Sequence, residues 1–137
     1  MKKLFNLFIV CFFLSGCAAQ MRASKGWKLL DQGRPEEAIK AFETSKEKKE
    51  LPGYYLGMYH AYIEKKDIKN AEKYITLGLD IFPDDFHLNY AYGYFLLKVK
   101  GNSQAAIKYF EKCKKLNPGS ASDLLEGAIA EARALNQ

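Results

Sequence analysis

The chain has 137 residues, 48% of them apolar and 14% aromatic, which suits one packed domain and rules out a low-complexity polymer. Its 21 basic and 16 acidic residues leave a formal charge of +5, but no basic stripe with base-stacking aromatics stands out, which argues against nucleic-acid binding. With only three cysteines, at 11, 17 and 113, the fold must rest on apolar packing rather than on a disulfide framework.

The first element in chain order is a targeting device. Met1-Lys2-Lys3 is a short basic start, and Leu4 to Leu14 is an apolar run broken only by Asn6. Such a run falls short of the roughly 20 residues needed to span a bilayer. A basic start and a short apolar run read as a secretory signal. The segment closes with Leu14-Ser15-Gly16-Cys17, which resembles the lipobox of bacterial lipoproteins. That resemblance implies a signal peptide over 1–16, lipidation of Cys17 and a mature chain starting there. An ordinary signal peptide, cut near Ala18-Ala19, is the alternative. Removing Lys2 and Lys3 leaves 19 basic against 16 acidic residues, a charge of +3. Ala18 after the cysteine, rather than Asp, favours by resemblance the outer membrane of a diderm cell. Residues 17–21 form a short tether, about 18 Å at full extension.

After the tether the sequence repeats itself. Ala38-Ile-Lys-Ala-Phe42, Ala71-Glu-Lys-Tyr-Ile75 and Ala106-Ile-Lys-Tyr-Phe110 share one pattern, with the alanines 33 and 35 residues apart. Each unit reads as a helix pair. In the first (22–51), Trp27, Leu29 and Leu30 precede the breaker Gln32-Gly33-Arg34. Pro35 then opens a helix, where its missing N–H costs nothing. In the second (52–83), Tyr55, Tyr59 and Tyr62 recur at helical spacing. Lys65-Lys66-Asp67 is the turn, with Asp67 as N-cap, and Ile81-Phe82-Pro83 ends the unit. The third (84–118) opens at Asp84 or Asp85 and turns at Gly101-Asn102-Ser103. Its second helix runs from Ala105 to Leu116 and closes at Asn117-Pro118-Gly119. The last segment (119–137) holds one more helix, Leu124 to about Leu135, apolar on one stripe and polar elsewhere, as a terminal cap requires.

These residues resemble the tetratricopeptide repeat family. The third unit carries Tyr92-Gly93, Leu96, Gly101, Ala106, Tyr109-Phe110, Cys113, Leu116 and Pro118 at the family's positions. The second carries Tyr62, Asp67, Ala71, Ile75, Gly78, Ile81 and Pro83, but places Tyr59 where the family prefers a small residue. The first carries Gly26, Leu29, Gly33, Ala38, Phe42 and Ser45. The expected fold is all-α: a right-handed solenoid of about three helix pairs with a capping helix. A generic bundle of seven helices is the alternative.

In such an array the first helix of each pair lines the concave side. By register the inward positions are Trp27, Leu30 and Asp31, then His60, Ile63 and Glu64, then Tyr90, Tyr94 and Lys98. This aromatic and aliphatic face suits a peptide or helix of a protein partner. The same tyrosines, at helical spacing, also suit a half-buried core. No catalytic motif is present, His60 and His87 lack companions at metal-ligand spacing, and Cys113 reads as a small buried hydrophobe. Neither enzyme activity, cofactor, metal nor small-molecule substrate is expected. The resulting expectation is a membrane-anchored scaffold or adaptor of the bacterial envelope. Short repeat lipoproteins resemble pilotins and assembly factors for pili, secretion channels or outer-membrane machinery. The other reading is an accessory subunit that regulates a cell-wall enzyme through its convex face.

Overall fold

The computed structural model describes residues 25–45, 50–119 and 122–135. The signal peptide, the tether and Cys17 lie outside these residues. The described chain is all helix and turn: α1 (Lys25–Asp31), α2 (Pro35–Thr44), α3 (Pro52–Glu64), α4 (Ile68–Ile81), α5 (Phe86–Lys98), α6 (Ser103–Leu116) and α7 (Ser122–Ala134). Helices α1 and α2, α3 and α4, and α5 and α6 pack as antiparallel pairs, and each pair packs on the next. The result is an all-α solenoid.

The helix ends follow from local chemistry. Asp67 Oδ1 accepts from the Asn70 N–H at 3.1 Å, Asp85 Oδ1 from Leu88 N–H at 2.8 Å, and Asn102 Oδ1 from Ala105 N–H at 3.0 Å. Each satisfies a backbone donor that a helix start leaves without an intrahelical partner. Pro35 and Pro52 open α2 and α3. Because Asn102 is the cap, α6 begins at Ser103, two residues before the sequence-based start at Ala105.

Within each pair the chain reverses through a residue in the left-handed region, five residues before the repeat alanine. These are Gly33 (φ 68°), Lys66 (φ 60°) and Gly101 (φ 64°). Glycine holds that conformation without steric cost, whereas the Cβ of Lys66 does not.

Alanines 38, 71 and 106 are fully buried, as are Ile75 and Phe110 four positions on, and Phe42 is nearly so. In the first and third pairs the ring needs a glycine opposite it. A Cβ on Gly26 would lie 2.5 Å from Phe42, and one on Gly93 would lie 2.6 Å from Phe110. The second pair has Tyr59 at that place, with the smaller Ile75 on its second helix. The Tyr59 ring turns toward the next unit, edge-on to Phe95 at 6.2 Å. Two residues earlier, Gly57 admits Phe42 from the preceding unit, which therefore sits between glycines of α1 and α3. This is how the chain accommodates a bulky residue at the family's small position.

The core falls into two masses that meet in α5. One gathers α1 to α4 and the N-terminal part of α5, as far as Phe95. The other holds Leu96, Leu97, Ala106, Phe110 and Cys113 with Leu125, Ala128, Ile129 and Ala132 of α7. The link between the second and third pairs is fixed by Asn89, which is fully buried and donates through Nδ2 to the carbonyls of Pro83 (2.8 Å) and Asp85 (2.7 Å). Lys112 Nζ reaches the same Pro83 carbonyl at 2.6 Å and the Asp84 carboxylate at 3.1 Å.

Replacing Lys66 by glycine relieves the left-handed Cβ and should stabilise the fold by about 1 kcal/mol. Chemical denaturation of the Lys66→Gly variant beside the parent measures this, and equal midpoints would contradict it.

Candidate partner-binding face

The first helices of successive pairs touch one another, α1 against α3 and α3 against α5, and the second helices make no comparable contact. Closer approach of the first helices is what the inner side of a curved helix-pair array requires. The nine residues expected there do lie on these helices, but they differ in what they can offer.

Trp27 and Leu30 are buried, at 9% and 7% exposure. The indole meets Phe42 edge-on at 5.9 Å and the His60 ring at 5.7 Å. Both residues belong to the core that joins the first two pairs as much as to the face. His60 also meets Tyr59, at 5.1 Å. It keeps part of its surface exposed, yet it is so closely surrounded that burial pulls its pKa from 6.5 to about 4. It is a neutral imidazole at neutral pH.

Ile63 is half-buried against the same core, and Glu64 follows it at the end of α3. Burial raises the Glu64 pKa first, and the nearby carboxylates of Asp31 and Glu36 raise it further. Glu36 is itself engaged by Lys65 at 3.5 Å. Asp31 is exposed at the end of α1.

In the third pair Tyr90 stacks on Phe86 with ring centres 6.1 Å apart and meets Tyr94 edge-on at 5.0 Å. Both tyrosines lean on Phe110, at 5.9 and 5.2 Å. All nine tyrosines of the chain are buried or half-buried, so each spends much of its ring on packing. Lys98 is exposed and pairs with Glu131 of α7.

The face thus brings together Trp27 with His60, Asp31 with Glu64, and Tyr90 with Tyr94. His87, in the first turn of α5, is half-buried and its pKa is lowered by burial. Its signal was present in the spacing, since positions 87, 90 and 94 fall on one helical stripe.

Cys113 is buried, its Sγ 3.6 Å from the Phe86 carbonyl, and burial pushes its pKa up to about 12. Such a thiol is a packing group. Among the described residues no cluster of His, Cys, Asp and Glu is placed to hold a metal ion, and no helix is long and apolar enough to cross a membrane.

The family model for the tetratricopeptide repeat matches residues 56–85 and again 86–120. The chain therefore carries tetratricopeptide repeats over residues 56–120, which are units of protein–protein interaction. No curated protein matches it. The first pair lies outside the matched span, and its kinship with the third rests on geometry, Gly26 against Phe42 as Gly93 against Phe110.

His60 also makes a pH prediction. The unfolded chain takes up a proton there near pH 6.5 and the folded chain only near pH 4, so acidification favours unfolding across that interval. Glu64, whose carboxyl is raised in the fold, works in the opposite sense in the carboxylate range. His60→Phe should flatten the loss of stability between pH 6.5 and 4, as read by urea denaturation at a series of pH values. An unaltered slope would show that the imidazole titrates normally.

Proposed function

We propose that the chain is a tetratricopeptide-repeat scaffold of the bacterial envelope, tethered to a membrane by a lipid on Cys17, which captures a protein segment on its inner face. The observation that supports the reading is the contact of α1 with α3 and of α3 with α5, the last two being the helices that carry His60, Ile63, Tyr90 and Tyr94. Aromatic side chains held rigidly by their neighbours supply contact area at little entropic cost on binding. The partner is a peptide or helix, because a short array of three pairs has room only for a short segment. The lipobox-like Leu14-Ser15-Gly16-Cys17 supports the tether. With only a few residues before the first helix, that tether would hold the repeats close to the lipid surface, outer membrane favoured. By analogy with short repeat lipoproteins, the captured protein is a subunit of a pilus, a secretion channel or outer-membrane assembly machinery.

A photo-crosslinking residue at Ile63 or Tyr94 should trap a discrete partner in intact cells, and one at Lys40 or Lys108 on the second helices should not. Adducts from the second helices alone would favour the other reading, a regulator of a cell-wall enzyme that uses its convex face. Cys17→Ala should move the protein from the membrane to the soluble fraction, and an unchanged membrane pool would refute lipidation.

A further inference from the structure

The last residue of each first helix is charged, and the solenoid treats the three differently. Lys98, ending α5, pairs with Glu131 of α7, so at the C-terminal end opposite charges bridge neighbouring elements along the inner face. Asp31 and Glu64, ending α1 and α3, occupy the same place in their units. There α1 packs against α3, and their matching ends set two like charges on adjoining helices. Neither makes an ion pair with any described residue. Lys28 stands one helical turn before Asp31 without engaging it, and Lys65 turns to Glu36 instead. Beside the two carboxylates lie the half-buried Ile63 and His60, the imidazole uncharged, with Trp27 and Leu30 buried in the core behind them.

We propose that this N-terminal half of the inner face docks a cationic amphipathic segment, whose Lys or Arg side chain sits between Asp31 and Glu64 while its apolar side lies against Ile63 and the edges of Trp27 and His60. The inference rests on the inner-face reading above and specifies the chemistry of the partner. The physical reason is complementarity. Two neighbouring carboxylates, one of them half-buried, repel each other in the free protein, and a cation placed between them removes that cost. A carboxylate-bearing segment would add to the repulsion, so the same pair selects against acidic partners. The third pair, already neutralised through Glu131, contributes aromatic surface and little charge preference.

The test uses a fluorescein-labelled amphipathic helix of leucine and lysine, and a counterpart with the same leucines and glutamate in place of each lysine. Fluorescence anisotropy with the parent protein should show the lysine peptide binding at least about tenfold more tightly at low salt, the margin narrowing as salt is raised. Asp31→Lys/Glu64→Lys should reverse the preference. Both side chains lie at helix ends with exposed surface, and circular dichroism verifies that the fold persists. Asp31→Asn/Glu64→Gln is the milder companion and should abolish the preference without reversing it.

Equal affinity for the two peptides, no binding of either, or a preference that survives the charge changes would each overturn the inference. The inner-face reading is judged separately. If the parent binds both peptides equally and Ile63→Glu removes that binding, the face stands and the cationic specificity falls. If Ile63→Glu changes nothing while a preference for lysine persists, the charge acts elsewhere and both fall.

Discussion

In the first and third pairs the two helices come close where one offers a ring and the other offers nothing to block it. Phe42 against Gly26 and Phe110 against Gly93 are the two clearest cases, and a single methyl group on either glycine would strike the ring. Once that contact is made, the alanine one turn earlier is sealed and the left-handed turn residue is required to bring the chain back. The stacking of successive pairs then follows, because Phe42 reaches past its own partner to Gly57 of the next unit. One aromatic side chain thus fixes spacing both within a unit and between units. The middle pair shows how far the rule bends: Ile75 replaces the ring, and Tyr59 spends its bulk on Phe95 instead.

This economy shapes the inner face. Trp27 is buried in the core, and the half-buried Tyr90 and Tyr94 pack on Phe110 while keeping part of their rings at the surface. A stiff face of aromatic edges makes a poor universal binder. Under the proposed reading, charge at the helix ends, where side chains reach solvent, would choose among partners of similar shape.

Much of the fold could be read from spacing alone. The phase of the alanines, the caps at Asp67 and Asp85, and the prolines opening α2 and α3 are local signals, written within a few residues of where they act. The features that escaped the sequence depend on distant neighbours. Lys66 looks like an ordinary turn lysine until its φ is seen to match that of Gly33 and Gly101. Gly57 lies mid-helix with no turn to explain it, and its reason is a ring fifteen residues away. The site was legible as a set of positions but not as a set of roles. Helical register says which way Trp27 points, not that its ring is consumed by Phe42 and His60. It cannot show that Lys98 is claimed by a glutamate on the last helix. Tyrosine is ambiguous for a physical reason, since a ring that packs and a hydroxyl that reaches water satisfy core and surface alike.

Helix α7 sits on α6 as the opening helix of a fourth pair would, with Leu125, Ala128, Ile129 and Ala132 turned inward. Its other side shows Asp123, Glu126, Gly127, Ala130, Glu131 and Arg133 to solvent, and two of these acids are tied back to Lys114 and Lys98. A stack of identical modules has an inherent hazard, for whatever attracts one module to the next can attract one molecule to another. Within Ser122–Ala134 that outer side is made of charge and small residues rather than rings, although Leu135, directly after the helix, is left exposed. Charge and small residues over most of that surface oppose end-to-end joining of copies, as an inert end-group slows a growing chain, and Leu135 is the apolar contact it leaves open.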